Sequence, residues 1–320
     1  MKNQYLMKRI YVIIPCYNEK ENLLHINQRL QEIFNTKLCS KYNFRILFVN
    51  DGSNDETLEE IKGLRNKNLN IDFISFSRNF GHQQAIKAGI DHVNADAVIT
   101  MDADLQHPPE LIPEFIKLWE NDFDIINSKN CDSENQSFFK RITSKSFYTL
   151  LNILSYIKIE SGTADFRLID KKVLKQLRQL NEQNLFIRGV IPWIGFRQHT
   201  LKYTPDERKF GKTKYTVKKM FSLAISGITS FSIKPLRISI FFGLILSFIA
   251  IAYMMYALYI GLFTDKAIEG WTSVIVSVLF IGGLQLLMLG IIGEYLGKLF
   301  LENKKRPNYI IDQIEIPNEK

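Results

Sequence analysis

The stretch MDADLQHPPELIP, residues 101–113, follows a short apolar run and places two aspartates one residue apart where a strand is expected to end. Asp102 and Asp104 are followed by Gln106, and two prolines then stop the strand and start a helix. Oxygen ligands of this kind suit Mg²⁺ or Mn²⁺, which usually take one or two carboxylates together with phosphate oxygens and water. Taken alone, the D-x-D pattern also fits a helix cap at Asp104, so its meaning depends on its surroundings.

The surroundings alternate short β-branched runs with helix-like stretches over residues 8–128, which predicts an α/β fold with a mostly parallel sheet covered on both faces. Ligands of such sheets bind beyond the carboxyl ends of the strands. The first strand-to-helix turn has no GxGxxG pattern, which argues against a nicotinamide dinucleotide site. We expect strands at 10–14, 46–49, 71–75, 97–101 and 124–126, and helices near 22–34, 56–64, 82–93 and 110–119.

Polar segments follow four of these strands: PCYNE, NDGSND, SRNFGHQQA and DADLQ. Because the carboxyl ends of parallel strands share one edge of a sheet, we expect these acids and amides to lie close together. This context favours a cation and diphosphate site at Asp102, Asp104 and Gln106 over a helix cap. His82 and His107 show no metal-ligand spacing and are interpreted as packing or polar contacts.

Two long uncharged stretches follow the predicted sheet domain. Residues 238–264 are 27 residues without a charge and residues 270–293 are another 24, each longer than the roughly 20 residues that cross a hydrocarbon core. Two such stretches in tandem predict a transmembrane hairpin rather than buried core helices. Residues 197–219 hold eight Lys or Arg against two acids, and KKRP follows the second span. The positive-inside rule therefore predicts that the large domain and both termini are cytoplasmic.

Charge and cysteine content narrow the function further. The formal net charge is +8, and its excess clusters before the first span, so an anionic membrane surface is the expected partner and nucleic acid is not. Cys16, Cys39 and Cys131 show no CxxC spacing, which fits a reducing compartment and argues against structural zinc. The apolar run before Pro15 is too short for a signal peptide, so we expect no export of the N-terminal domain.

Six segments in order resemble the family 2 glycosyltransferases of GT-A fold that load sugars onto polyprenyl phosphate. They are YVIIPCYNEKENL, VNDGSNDET, SRNFGHQQAIKAGI, MDADLQHPPELIP, GTADFRLID and ERKFGKTKY, followed by the two spans. The resemblance covers residues 8 to about 300 and is nearest to bactoprenol glucosyltransferases and dolichol-phosphate mannose synthases. It implies a GT-A fold, Rossmann-like with a mostly parallel sheet, and an inverting, metal-dependent hexosyltransferase.

The resemblance also implies a domain order. We expect a GT-A catalytic domain over 1–213, a juxtamembrane interfacial helix over 214–235, a two-helix transmembrane hairpin over 236–300 and a cytoplasmic tail over 301–320. A further interfacial helix is expected at about 138–156 within the catalytic domain. Both interfacial segments have a basic start and an apolar remainder, and a buried core helix remains the alternative for each.

Roles of single residues are carried over from the resemblance. Asp102, Asp104 and Gln106 match the site for Mg²⁺ or Mn²⁺, and Asp165 matches the aspartate beside the acceptor. The expected catalytic residues are Asp104, Asp165 and Arg208. Arg208 matches a cation that closes over the phosphates. The nucleotide-sugar is expected at Pro15, Tyr17, Glu19, Asp51, Ser77, Asp102, Ala103, Asp104 and Lys214.

The acceptor phosphate is expected at Arg141 and Lys129. Relatives commonly carry an arginine where this chain has Lys129, and a lysine cannot make the same bidentate phosphate contact. They also often read DDGS where this chain has Asn50. Because a phosphomonoester has a second pKa near ~6, the acceptor needs no strong base, and Asp165 would position the acceptor or complete the metal site.

The resemblance implies transfer of a hexose to undecaprenyl phosphate, for cell-envelope glycan modification, at the inner membrane of a bacterium. UDP-glucose is the expected donor, with UDP-N-acetylhexosamine, an aminoarabinose donor and GDP-mannose as alternatives. A processive polysaccharide synthase would normally carry QxxRW and more spans, and this chain contains neither. The intact acids argue against a membrane scaffold with a degenerate nucleotide site, which only a transfer assay excludes. Glycines at 282, 283 and 290 predict close helix packing and a homo-oligomer, either a tetramer or a dimer.

Overall fold

A computed structural model describes residues 7–131, 152–154, 162–183, 185–205, 229–263 and 270–317. The two predicted interfacial helices lie largely outside the described residues. Three predicted site residues, Arg141, Arg208 and Lys214, also lie outside them.

Eight strands form one sheet in the described part of the chain, in the order β7-β5-β6-β4-β1-β2-β3-β8. The strands β1 to β5 and β7 run in the same direction, whereas β6 and β8 are antiparallel to their neighbours. The predicted α/β fold with a mostly parallel sheet is therefore confirmed. The strands are β1 Arg9–Cys16, β2 Asn43–Asn50, β3 Ile71–Phe76, β4 Ala97–Thr100, β5 Ile125–Asn130, β6 Thr163–Asp170, β7 Gln198–Tyr203 and β8 Ile311–Glu315.

Helices cover both faces of the sheet because β1 is apolar on both of its sides. Ile10, Val12 and Ile14 pack in one core with α1, α2 and α4, while Tyr11 and Ile13 pack in the other with α3, α5 and α6. The helices are α1 Lys20–Phe34, α2 Thr57–Lys67, α3 His82–His92, α4 Ile112–Glu120, α5 Lys171–Gln179 and α6 Ile187–Trp193.

The register of the strands sets where the polar segments meet. Cys16 pairs with Asn50 at the ends of β1 and β2, so the segments that follow them leave the sheet side by side. The antiparallel β6 places its first residues, from Thr163, at this same edge, because Arg167 pairs with Thr100 near the end of β4. We call this the carboxyl edge of the sheet.

Two long apolar helices follow, α7 Lys234–Phe263 and α8 Trp271–Asn303, and they include most of the predicted spans. Within them, Lys234–Tyr253 and Phe280–Asn303 have mean hydropathies of 2.1 and 1.5, and none of their residues is buried. By length and composition, both segments are suited to cross a membrane.

The chain after α8 returns to the sheet, which the sequence analysis did not predict. Strand β8 pairs with β3 and covers an edge that would otherwise be open. Just before β8, the ring of Tyr309 stacks on Phe76 at a centroid distance of 5.2 Å, and its hydroxyl donates to Asp91 at 3.0 Å. The C-terminal segment is thus part of the folded domain.

A buried ion cluster holds β3, the strand that pairs with β8. Asp72 is fully buried and accepts hydrogen bonds from Tyr11 Oη at 2.9 Å, Arg45 Nε at 2.7 Å and Arg65 Nη1 at 2.8 Å. Arg65 also pairs with Glu315 of β8. A buried carboxylate with three donors holds β1, β2, β3 and α2 in register.

Replacing Asp72 by asparagine should therefore destabilise the domain, since the partly buried guanidinium of Arg45 loses its carboxylate partner and that of Arg65 keeps Glu315 but loses the buried one. We expect a loss of about 3–5 kcal/mol, seen as a fall in Tm of roughly 10 °C in thermal unfolding of the detergent-solubilised protein. The control D312N changes an exposed acid on β8 and should leave Tm almost unchanged. Equal Tm values for D72N and D312N would contradict this account.

Candidate active site

The segments after β1 and β2 are joined by hydrogen bonds at the carboxyl edge. Asn18 has a positive φ of 53°, and its N–H donates to Ser53 Oγ at 3.0 Å while its side-chain oxygen accepts from Asn54 N–H at 2.9 Å. The N–H of Glu19 donates to Thr57 Oγ1 at 3.0 Å. PCYNE and NDGSND therefore form one rigid rim.

Asp51 connects this rim to the segment after β3. Its carboxylate is 3% exposed and accepts from the N–H groups of Phe80 at 2.6 Å and Gly81 at 3.0 Å. Burial raises the pKa of Asp51, and the two N–H donors partly offset that rise. Gly52 has φ of 64°, and a Cβ there would lie 2.3 Å from the carbonyl carbon of Arg78, so the two loops approach too closely for any other residue.

The D-x-D segment forms a tight turn after β4. Asp102 is 32% exposed and Asp104 is half-buried, so both carboxylates reach the surface of the edge. Leu105 takes a left-handed φ of 63°, and the N–H of Gln106 donates to Asp104 Oδ1 at 3.2 Å. Within the described residues no group of three or more His, Cys, Asp or Glu side chains could hold a metal ion. A cation here would have to take part of its coordination from a ligand and water.

Two imidazoles flank Asp102. His82 Nε2 lies 2.9 Å from Asp102 Oδ1, and because an ionised carboxylate only accepts, this nitrogen carries the proton. The backbone N–H of Asp102 donates to His107 Nδ1 at 3.0 Å, and His107 Nε2 lies 3.7 Å from Asp102 Oδ2. His107 stacks on Phe166 at 5.3 Å. Both predicted polar or packing roles are confirmed, and both involve the first aspartate of D-x-D.

Tyr203, at the end of β7, belongs to the same neighbourhood. Its ring packs edge-on against His107 at 6.1 Å. Burial raises the pKa of the Tyr203 hydroxyl, and the negative charges of Asp102 and Asp104 raise it further. The hydroxyl therefore stays protonated beside these carboxylates.

Asp165 lies at the start of β6 and is held by two arginines. It is 3% exposed and accepts from Arg188 Nη2 at 2.8 Å, from Arg188 Nε at 3.1 Å and from Arg167 Nη2 at 3.1 Å. Burial alone would raise the pKa of Asp165, but the charges of Arg188 and Arg167 outweigh burial and hold it below its ordinary value. A carboxylate with such partners is an anionic anchor rather than a proton acceptor.

The first two residues of α3 contact both carboxylates. His82 meets Asp102, and Gln83 Nε2 lies 3.4 Å from Asp165 Oδ2. Gln83 Oε1 also accepts the backbone N–H of Ile187 at 3.1 Å, at the start of α6. The amino-terminal end of α3 therefore joins the D-x-D turn, β6 and α6.

The fold gathers at the carboxyl edge most of the residues that the sequence analysis selected, although their roles remain predictions. Lys129 is there too, since it pairs with Thr163, the first residue of β6. The sequence analysis missed Arg167 and Arg188 entirely; Arg188 is 23 residues from Asp165, and no local pattern connects them. The selected residues at this edge are Pro15, Tyr17, Glu19, Asp51, Ser77, Asp102, Ala103, Asp104, Gln106 and Asp165.

The start of α7 and the end of α8 lie beside this edge. Phe231, three residues before α7, packs against Gly189 of α6, near Arg188. At the end of α8, Glu302 accepts the N–H of Gln183 at 2.7 Å. The N–H of Ser77 donates to Ile310 O at 3.0 Å as the chain returns from α8. The start of α7 and the end of α8 are therefore in contact with elements that border the carboxyl edge.

The family profile and the related sequences that match this chain agree on one family. The profile of Glycosyl transferase family 2 matches residues 11–178. The Bacillus subtilis protein named uncharacterized glycosyltransferase YkcC is 42% identical over 302 residues, which cover 94% of this chain and 93% of that protein. The prophage bactoprenol glucosyl transferase homolog of Escherichia coli K12 is 37% identical and covers 96% of this chain and 99% of its own.

The bactoprenol glucosyl transferase of Shigella phage SfV is 38% identical over 95% of this chain and 98% of its own. Among solved structures, the mannosyltransferase PcManGT of Pyrobaculum calidifontis in complex with GDP-Man and Mn²⁺ is similar at 16% identity. Its TM-score is 0.45, over 70% of this chain and 63% of that chain.

The ion pair of Arg188 predicts a pH-dependent stability. Arg188→Met keeps the aliphatic volume but removes one of the two arginines from buried Asp165, so we expect a loss of about 1.5–3 kcal/mol at neutral pH in thermal unfolding. The pKa of Asp165 is depressed in the folded state, so the pair stabilises fully above the unfolded-state pKa of about 3.9 and less as pH falls below it. The difference in Tm between wild type and R188M should therefore shrink below about pH 4.

The control is R178M. Arg178 donates to the carbonyl oxygens of Ile90 at 2.9 Å and Val93 at 2.6 Å, which do not titrate. Its loss should cost the same at every pH in this range. An R188M deficit that is equally independent of pH would contradict the assigned ion pair.

Proposed function

The chain belongs to Glycosyl transferase family 2, and from that premise we propose that it transfers a hexose from UDP-glucose to a polyprenyl phosphate at the cytoplasmic face of a bacterial inner membrane. One observation carries the proposal. The edge that presents Asp102 and Asp104 adjoins the start of α7 and the end of α8, which are long, unburied apolar helices. An enzyme whose acceptor has its phosphate at headgroup level and its tail in the bilayer needs this arrangement.

The relatives support a lipid acceptor. Proteins named bactoprenol glucosyl transferase align with 95–96% of this chain, an extent that includes α7 and α8. In the proposal these helices form a transmembrane hairpin with both termini and the catalytic domain in the cytoplasm, and the segments at 138–156 and 214–235 lie in the interface plane.

The donor would bind along the carboxyl edge. In the proposal the base and ribose lie against Pro15, Tyr17 and Glu19, and Ser77 and Ala103 contribute at the ends of β3 and β4. The buried carboxylate of Asp51 already accepts two backbone N–H groups, so it supports this pocket chiefly by holding its wall. Glucose is preferred to the other candidate sugars on the names of the relatives alone.

The residues present fit a divalent cation. Asp102 and Asp104 offer hard oxygen ligands at a partly exposed turn, with Gln106 as a neutral neighbour, and a Mg²⁺ or Mn²⁺ ion with one or two carboxylates normally completes its shell with phosphate oxygens. A bound ion would neutralise the charge that develops on the departing diphosphate. Arg208 and Lys214 are proposed to add positive charge over the same phosphates.

The reaction needs no strong general base. A dianionic phosphate oxygen of the acceptor attacks the anomeric carbon, its bond to carbon forms as the bond to the diphosphate breaks, and the nucleoside diphosphate leaves with that electron pair. Attack opposite the leaving group inverts the anomeric centre. Asp165, saturated by arginines, orients the acceptor side, and Arg141 and Lys129 are proposed to bind the acceptor phosphate.

We also propose a homo-oligomer, a tetramer or a dimer. A Cβ built on Gly282, Gly283 or Gly290 of α8 would meet nothing within 4 Å in the described part of the chain. Small residues on an open apolar helix allow close approach of a neighbouring helix. The same glycines in several copies would form the contact.

A transfer assay tests the function. Membranes or purified protein are incubated with polyprenyl phosphate, Mg²⁺ or Mn²⁺, and labelled UDP-glucose, UDP-N-acetylglucosamine, a UDP-aminoarabinose and GDP-mannose in separate reactions. We expect labelled lipid with UDP-glucose, its loss with EDTA and its return with added Mn²⁺. Labelled lipid from another donor would correct the sugar, and no product from any donor would overturn the proposal.

Asp104→Ala tests the D-x-D turn. Loss of one carboxylate of the proposed cation site would weaken the hold on the ion that would neutralise the departing diphosphate, so kcat should fall by about 10²–10³-fold. Tm should change little, because the side chain is partly exposed. D312A removes an exposed acid from β8 and should keep wild-type kcat. Full activity in D104A would show that the turn is not the catalytic centre.

A further inference from the structure

We propose that His82 is a positioning residue for Asp102, holding its carboxylate in the orientation that takes a divalent cation and so setting the affinity of the site for that cation. The inference rests on the proposed function, because it takes Asp102 as a cation ligand. It concerns a residue in SRNFGHQQA whose side chain the D-x-D pattern does not include.

The backbone before His82 is held firmly. Gly81 has φ of 105°, a conformation that favours glycine, and its N–H donates to the buried carboxylate of Asp51 at 3.0 Å. The next residue, His82, begins α3. The hydrogen bond to Asp51 and the start of α3 therefore fix the backbone that carries the His82 imidazole.

The hydrogen bond between His82 and Asp102 is short, and His82 is its donor. His82 Nε2 carries the proton and donates to Asp102 Oδ1 at 2.9 Å. His107 acts differently, since its Nδ1 accepts the backbone N–H of Asp102, and its Nε2 is 3.7 Å from Oδ2, beyond hydrogen-bond distance. Of these two imidazoles, His107 fixes the backbone of Asp102, and His82 fixes its carboxylate.

The pair remains open to a ligand. The side chains of His82 and Asp102 are 37% and 32% exposed, so a cation can reach the carboxylate while the imidazole stays bound to one oxygen. Hydrogen bonds to the carboxylates that ligate a metal restrict their rotation before the ion arrives, and removing them typically costs about 10–100-fold in affinity.

The adjoining Gln83 gives the contact a wider role. Gln83 joins Asp165 to the start of α6, so one turn of α3 sets the positions of the D-x-D turn and of the acceptor-side carboxylate together. A shift of His82 would therefore move Asp102 relative to Asp165 as well as loosen it.

Binding of Mn²⁺ to the full-length protein in detergent tests the inference. The free ion is followed by its electron paramagnetic resonance signal in the presence of UDP, and again with GDP. We expect H82A to raise the Kd for Mn²⁺ by about 10–100-fold and H82Q, whose amide N–H can reach the same oxygen, to recover most of that loss. H92Q changes an exposed histidine at the end of the same helix and should keep the wild-type Kd.

Thermal unfolding without metal separates positioning from a merely structural role. Equal Tm values for wild type, H82A and H82Q are expected, with a smaller Mn²⁺-dependent rise in Tm for H82A. A wild-type Kd in H82A overturns the inference, and so does an equal loss in H82A and H82Q accompanied by a lower metal-free Tm.

The outcomes also separate this inference from the proposed function. If the wild type binds no Mn²⁺ with either nucleotide, the cation site fails and the inference fails with it. If the wild type binds Mn²⁺ and H82A binds it weakly, but no donor yields labelled lipid, the inference stands and the proposed reaction fails.

Discussion

The two hydrogen bonds from the backbone of Phe80 and Gly81 to the buried carboxylate of Asp51 are the contact on which the rest of the site depends. They hold the start of α3 against the rim formed by the loops after β1 and β2. From that start, His82 reaches Asp102 and Gln83 reaches Asp165. Through the start of α3, the buried carboxylate of Asp51 thus positions the side chains that contact Asp102 and Asp165.

The acids of the carboxyl edge differ in what they can bind because they differ in burial. Asp51 and Asp165 are almost fully buried, and a buried carboxylate is tolerated only when donors surround it, so both are committed to backbone N–H groups or to arginines. Asp102 and Asp104 keep part of their surface exposed. They are the carboxylates that remain accessible to a cation and a diphosphate.

The GT-A domain of this glycosyltransferase is joined to the two long helices by more than a linker. Glu302 at the end of α8 binds the backbone of Gln183, whose carbonyl oxygen accepts from Gln84 of α3 at 3.1 Å. Strand β8 then extends the sheet beside β3. Gln183 therefore connects the helix that carries His82 and Gln83 to the end of α8.

By itself, the sequence determined the elements and the chemistry that depend on neighbouring residues. The strands and helices up to residue 128, the D-x-D turn and the two long apolar helices were predicted because periodicity, turn residues and charge-free length are local properties. The tertiary structure alone decided the antiparallel insertion of β6, the pairing of β8, the pairing of Arg188 with Asp165 and the imidazole on Asp102. These contacts join residues from 20 to more than 200 positions apart, and which side chains meet at such distances depends on the register of the sheet, which no local pattern contains.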